Sequence, residues 1–190
     1  SGSAFNTRFL AVHGNSANSL IAVGTNGVIA RWNGTTWSPT PSGTTRTLRG
    51  VFIETPTTAF VVGDNGTVLR FDGITWTPLT SGSTKQLNGV WSAGLAAFIV
   101  GDGGEVLRFN GTTITRQTVP FADDLNAISG VSGGAVTAVG DFGGILRFDG
   151  TTWTLVNSNG VLDDFSTISG NASNGSRTYL GGQNGVYQLD

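Results

Sequence analysis

Short apolar runs alternate with Gly-, Asn- and Asp-rich turns along the whole chain, and no window sustains apolar residues three and four apart. The pattern predicts many short strands and essentially no helix. Residues 63–76 show the repeating unit. Gly63-Asp64-Asn65-Gly66 carries the turn residues of a hairpin, Val68 to Phe71 is a β-prone run, Asp72-Gly73 is a second turn signal, and Trp76 opens onto the next strand. Near-copies run from Gly24-Thr25-Asn26-Gly27 to Trp37, from Gly101-Asp102-Gly103-Gly104 to Ile114, and from Gly140-Asp141-Phe142-Gly143 to Trp153.

Aligned on the strand that opens each copy, the chain holds five repeats, starting at Phe9, Leu48, Leu87, Leu125 and Phe165, with spacings of 39, 39, 38 and 40 residues. A period near 40 with four strands per copy predicts a propeller blade. A parallel β-solenoid would share the glycine content, but its coils are shorter. In the first copy strand A is Phe9 to His13, B is Leu20 to Val23, C is Val28 to Trp32 and D is Thr36 to Thr40, and the later copies follow. Strand B reads as apolar throughout in Ala59-Phe60-Val61-Val62 and Ala97-Phe98-Ile99-Val100, as expected of a sheet covered on both faces. Ala11, Gly50, Gly89, Ala127 and Thr167 keep one strand-A position small, where blades crowd. Pro39 and Pro78 fall in strand D, which suits an outer edge. The prediction is an all-β, five-bladed β-propeller of antiparallel four-stranded blades. It forms one domain over 1–190, with repeats at 9–47, 48–86, 87–124, 125–164 and 165–190.

The fifth copy stops at strand C, so the last blade is expected to be incomplete. Three arrangements fit: a three-stranded blade, closure by Ser1 to Asn6 pairing with that strand, or a segment of a longer array. An uncovered strand Val186 to Leu189 would be an edge able to pair with another chain.

Composition narrows the function without fixing it. Only 12% of residues are charged, and the formal net charge is −2 with basic residues scattered singly, which argues against a nucleic-acid partner. No cysteine is present, so disulfides, thiolate chemistry and Cys-based metal sites are excluded. No apolar run approaches the ~20 residues of a membrane span. The start, Ser1-Gly2-Ser3 with no Met in the chain, reads as processed, and an extracellular or periplasmic location is expected.

The run Gly-Asp-x-Gly-x-Val-Leu-Arg-Phe-Asp-Gly-x-x-Trp, whole at 63–76, resembles propeller repeats common in bacterial secreted proteins. It is also similar to the Asp-box or BNR repeat, Ser/Thr-x-Asp-x-Gly-x-x-Trp, and more distantly to the propellers of photosystem II assembly factors. The resemblance extends from about Phe9 to Asp190. Departures from the Asp-box are plain: Arg70, Arg108 and Arg147 hold the Ser/Thr place, Gly follows directly in Asp72-Gly73 and Asp149-Gly150, Asn33 and Asn110 replace Asp, and Ile114 replaces Trp. Asp-box sialidases also need an arginine cluster, a Tyr/Glu pair and an acid Asp. Tyr179 and Tyr187 are the only tyrosines and both lie in the last copy, so sialidase activity is not carried over.

Recurring residues read as architecture. Asp64, Asp102 and Asp141 in the B–C turn, and Asn33, Asp72, Asn110 and Asp149 in the C–D turn, are expected to bond turn backbone. Arg31, Arg70, Arg108 and Arg147 on strand C are expected to pair with a turn carboxylate or carbonyl. Trp37, Trp76 and Trp153 are expected to cover the outer part of the blade. His13, the lone histidine, has no nucleophile or ligand set beside it and reads as a packed or surface histidine. The adjacent acids Asp123-Asp124 and Asp163-Asp164 offer a glycosidase pair only on paper, because neighbours in a strand diverge and neighbours in a loop are solvated.

Variation between copies marks candidate binding positions. The second and last positions of strand A vary most, and His13, Arg49, Phe52, Asn88, Trp91 and Asn126 are the candidate ligand contacts, expected near the central channel. No catalytic residue, metal site or cofactor is expected. The functional expectation is a non-catalytic binding or scaffold module whose ligand is a protein or a glycan, with self-association through the incomplete blade. A carbohydrate-binding lectin is the alternative, and a glycosidase-like enzyme is the remaining one.

Overall fold

The computed structural model describes residues 5, 7–94, 96–131, 135–156, 160–169 and 178–189. Five antiparallel sheets follow one another along the chain, each built in sequence order from inner to outer strand, and the chain is a five-bladed β-propeller. The first blade is β1 (Phe9–Ser16), β2 (Ser19–Gly24), β3 (Ile29–Trp32) and β4 (Trp37–Pro39). The second is β5 (Leu48–Thr55), β6 (Thr58–Gly63), β7 (Val68–Phe71) and β8 (Trp76–Pro78). The third is β9 (Leu87–Ala93), β10 (Ala96–Gly101), β11 (Glu105–Phe109) and β12 (Ile114–Arg116). The fourth is β13 (Leu125–Gly130), β14 (Val136–Gly140), β15 (Ile145–Phe148) and β16 (Trp153–Leu155). The fifth has three strands among the described residues: β17 (Phe165–Ser169), β18 (Thr178–Gly182) and β19 (Val186–Leu189). Two single 3-10 turns, Thr25–Gly27 and Asp141–Gly143, supply the only helical geometry among the described residues. Closure by Ser1 to Asn6 lies outside the described residues, apart from Phe5.

The chain divides into two compact units, Ser1–Leu87 and Asn88–Asp190. In the N-terminal unit β5 packs on β1 and β2. Ile21, Val23 and Ile29 of the first blade and Leu48, Val51, Ile53, Leu69 and Phe71 of the second form one buried cluster. In the C-terminal unit β17 packs on β13 and β14, and Val139 and Ile145 close over Phe165 and Leu180. Strand B is buried along its length at 59–62 and 97–100, as its composition requires. Gly89 shows why one strand-A position stays small: a Cβ there would come within 3.2 Å of Ile128 and Val100 side-chain atoms.

Strand A departs from simple alternation at its second residue. Phe9 pairs with Gly24 and Ala11 with Val23, so Leu10 is the extra residue of a bulge. The same shift places Arg49, Asn126 and Ser166 in bulges of the second, fourth and fifth blades. A bulge turns its side chain out of the ladder, here toward the neighbouring B–C turn.

Candidate functional site

The B–C turns and the D–A connections meet at one end of each blade, and the sequence fixes how. Asn65 at φ 55 and Gly66 at φ 67 put two successive residues in the left-handed region. That geometry aims the Gly66 N–H at Lys85 O (2.7 Å) and brings its carbonyl to the Ser81 hydroxyl (2.7 Å). In the C-terminal unit Gly104 N–H donates to Asp123 O (2.7 Å), and Gly143 N–H to Asp163 O (2.8 Å). The paired acids serve this junction. Asp124 accepts from Gly103 N–H (2.7 Å), and Asp164 from Phe142 N–H (3.0 Å) and from the Gln183 amide (2.9 Å). The carboxylates of Asp124 and Asp164 thus hold turns in place.

The turn aspartates do something other than expected. Asp64, Asp102 and Asp141 send their side chains to the second strand-A residue of their own blade, which is bulged in the second and fourth blades. Arg49 pairs with Asp64, Asn88 Nδ2 donates to Asp102 (2.9 Å), and Asn126 Nδ2 donates to Asp141 (2.8 Å). The same amides also reach the next blade, at Leu125 O and Phe165 O, both 3.0 Å. Asn88 and Asn126 are therefore staples between consecutive blades. The C–D turns match expectation. Asp72 Oδ1 accepts from the Ile74 and Thr75 N–H groups (2.8 Å each), and Asn33, Asn110 and Asp149 make the same pair of bonds.

The Thr75 and Ile74 N–H groups hold the Asp72 carboxyl below the usual range, and Thr152 and Thr151 do the same for Asp149. Stability tied to such a lowered group is present above the ordinary carboxylate range and is lost as pH falls through the lowered value. Because Asn33 and Asn110 perform the task uncharged, Asp72→Asn should leave Tm unchanged at neutral pH and flatten part of the acid limb. Thermal melts across pH read both effects, and a marked loss at neutral pH would contradict this account.

Two of the strand-C arginines, Arg31 and Arg108, make a contact that the sequence did not announce. The Arg31 guanidinium lies over the Phe71 ring at 4.4 Å, and that of Arg108 over Phe98 and Phe148 at 5.4 and 5.8 Å. These two guanidiniums stack on aromatics of their own or the next blade. Trp76 and Trp153 are buried against Phe71 and Phe148, whereas Trp37 is 40% exposed beside Trp32.

Of the six candidate contacts, Arg49, Asn88 and Asn126 sit at the B–C turn end of strand A as described, and His13, Phe52 and Trp91 lie three residues further along. His13 stacks on Phe52, ring centroids 4.5 Å apart, and its Nδ1 accepts from Ile53 N–H at 3.0 Å. Trp91 is buried and packs over Gly130, where a Cβ would meet its indole at 3.0 Å. The strand-A residues thus form two levels, one in each half of the strand. Among the described residues no three His, Asp or Glu side chains cluster as metal ligands, and no helix is long and apolar enough to cross a membrane.

Burial lowers the His13 pKa, and the bond from Ile53 requires Nδ1 unprotonated. The unfolded chain then takes up a proton that the folded state refuses. The stability is fully present above about pH 6.5 and is lost as pH falls below it. His13→Gln, which keeps an acceptor without titrating, should remove this component from melts recorded between about pH 7 and pH 5.

The bulge was the feature missed from sequence, and its signal is the spacing of the buried residues: Leu48, Val51 and Ile53 stand three and then two apart, not two and two. No protein-family model and no curated protein sequence matches the chain. Solved structures do. One of YCF48 bound to a D1 peptide superposes with a TM-score of 0.72 at 16% identity, covering 98% of this chain and 66% of that one. YCF48 from Cyanidioschyzon merolae gives 0.69 at 16% identity over 100% of this chain and 69% of that one. The extracellular domain of a hybrid two-component system from B. thetaiotaomicron gives 0.71 at 14% identity over 98% of this chain and 29% of that one. The chain thus spans about two thirds of the YCF48 structures, and at these identities the likeness establishes the β-propeller fold.

Proposed function

We propose that the chain is a non-catalytic propeller that holds an extended protein segment against the B–C turn rim of its C-terminal unit. The observation that carries this reading is Phe142. It sits at φ 53, a conformation that penalises a side chain of its kind, and is 63% exposed. The sister turns place Asn26, Asn65 and Gly103 there, residues suited to that backbone. Leu162, also exposed, adjoins the acids that bind this turn. Asp141 and Asp164 take their hydrogen bonds from neutral donors, and residues 88–190 hold nine acidic side chains against four basic ones. An apolar anchor among uncompensated carboxylates suits a segment with an apolar side chain flanked by Lys or Arg.

The YCF48 structure that holds a D1 peptide supports a protein segment as the ligand class. The strand-A residues His13, Arg49, Phe52, Asn88, Trp91 and Asn126 serve the site by fixing blade spacing behind the rim. An extracellular or periplasmic setting suits this role, as it does the extracellular domain with the same fold. Panning a random peptide display library on the folded chain should enrich apolar–basic segments. Phe142→Asn, which copies the first two turns, should keep or raise Tm and weaken binding of the enriched peptides at least tenfold. Equal binding by the variant, or no enrichment, would overturn the reading. Carbohydrate binding keeps one observation in its favour, the exposed Trp37 paired with Trp32 at 5.6 Å, and a glycan array with the Trp37→Ala variant as control tests it.

A further inference from the structure

In each of the first four blades the strand-C arginine stands in a cross-strand row on one face of its sheet. In the first blade the row is His13, Ile21, Arg31 and Ser38, and in the second Phe52, Phe60, Arg70 and Thr77. In the third, Phe98 stands beside Arg108. The fourth blade breaks the pattern. Its row is Ser129, Thr137, Arg147 and Thr154, so hydroxyl side chains replace the aromatic and apolar ones beside the arginine. The fifth blade offers no ring either, because Leu189 holds the repeat position of Phe71 and Phe148. The Arg147 guanidinium makes no ion pair, hydrogen bond or ring contact among the described residues. Arg147 is exposed where Arg31, Arg70 and Arg108 are half-buried.

These small side chains leave a recess of about 20 Å³ between the fourth and fifth blades, with Ser129, Thr137, Arg147, Ile168 and Thr178 in its walls. That is room for about one oxygen-sized group. Its polar side chains are three hydroxyls and one guanidinium, all able to donate, and no acidic side chain lines it among the described residues. Thr137 is only 8% exposed, so its hydroxyl stands in a largely desolvated wall. We propose that this recess binds a carboxylate, with one oxygen among the hydroxyls and the Arg147 fork holding the group at the mouth. A carboxylate fits better than phosphate or sulfate on two counts. The recess admits a single oxygen, and residues 88–190 hold nine acidic side chains against four basic ones, a field that opposes a dianion more than a monoanion. Ser129 stands three residues along strand A from Asn126, away from the B–C turn rim, so the site is independent of the peptide site proposed there. The carboxylate can come from a small free acid or from the end of a peptide chain.

Isothermal titration of the whole chain with sodium acetate, at an ionic strength held constant with sodium chloride, tests this. Acetate should bind saturably. Arg147→Gln should weaken binding at least tenfold. So should Thr137→Phe, which installs the residue of the third blade, fills the recess and keeps the arginine charge. Arg147 is exposed, so Arg147→Gln should keep the parent's far-UV circular dichroism and Tm, and it decides the matter alone where the larger substitution disturbs the junction. A short peptide without acidic side chains, with its C-terminal carboxylate free and then amidated, separates the sources. Binding tighter than acetate that is lost on amidation assigns the site to a chain terminus, and binding equal to acetate assigns it to a small free acid. No saturable binding of acetate or of the free-acid peptide overturns the proposal. So does binding that is unchanged in Arg147→Gln, or sulfate that binds more tightly than acetate.

Discussion

Gly66→Ala is expected to destabilise the chain by about 3 kcal/mol, lowering Tm by roughly 6–12 °C for a domain of this size. Two costs add. At φ 67 an alanine pays for the left-handed backbone, and its Cβ would stand 1.9 Å from Ser83 O. Neither relaxes easily, because the contact is with backbone and not with the end of a mobile side chain. The Gly66 N–H is bonded to Lys85 O and its carbonyl accepts from Ser81, so a shift of the turn breaks both. Gly63 separates the terms, since a Cβ there would lie 2.1 Å from Thr47 O while its φ lies outside the left-handed region. Asn65→Gly is the control, because it relieves a positive φ of 55 and should be neutral or stabilising. Chemical denaturation of the three variants decides the matter. A Gly66→Ala protein as stable as its parent would mean that the turn and the connection are not locked together.

Strand positions were legible because each blade obeys two local rules, apolar strand B and Gly-rich turns, and both repeat near every 39 residues. Val68 to Phe71, Ile145 to Phe148 and Val186 to Leu189 fall where periodicity puts them. The partners of recurring polar residues were less legible. A turn aspartate next to glycines looks like a backbone-bonding group, and Asp72 is one. Asp64 and Asp141 are diverted because a bulge some fifteen residues earlier brings Arg49 or Asn126 within reach, and Asp102 meets Asn88 at the same repeat position. The bulge is visible only in the spacing of buried side chains, and its consequence lies across the sheet. The arginine stacks also depend on an aromatic that can belong to the following blade, about forty residues away, which no local pattern reports. Phe142 is the instructive case for function. As a break in a repeat it is plain in the sequence, but its exposure and left-handed backbone make it a candidate anchor.

Asp163→Asn is expected to lower Tm at neutral pH far more than Asp72→Asn, although both exchange a carboxylate for an amide of the same shape. The difference lies in how many oxygens must accept. At Asp72 one oxygen takes both backbone N–H groups, so an amide carbonyl suffices, as Asn33 and Asn110 show. At Asp163 the work is divided: Oδ1 accepts from Gln183 N–H (3.1 Å) and from the Asn184 amide (2.9 Å), while Oδ2 accepts from Asn184 N–H (3.0 Å). An asparagine must turn its NH2 toward a donor in either orientation, leaving a backbone N–H without an acceptor. The position also anchors the fifth blade on both sides, because Asp163 O receives Gly143 N–H from the fourth. Burial pushes the Asp163 carboxyl up, yet the bonds from Asn184, Tyr187 and Gln183 together hold it below the ordinary range, and the same contact raises the Tyr187 hydroxyl. The stabilisation is complete above about pH 4 and is lost as pH falls through the lowered value. The parent should therefore lose stability in acid over a range where Asp163→Asn, already weakened, changes little. Melts of both proteins between about pH 7 and pH 3 test this, and parallel curves would show that the fifth blade is held without its carboxylate.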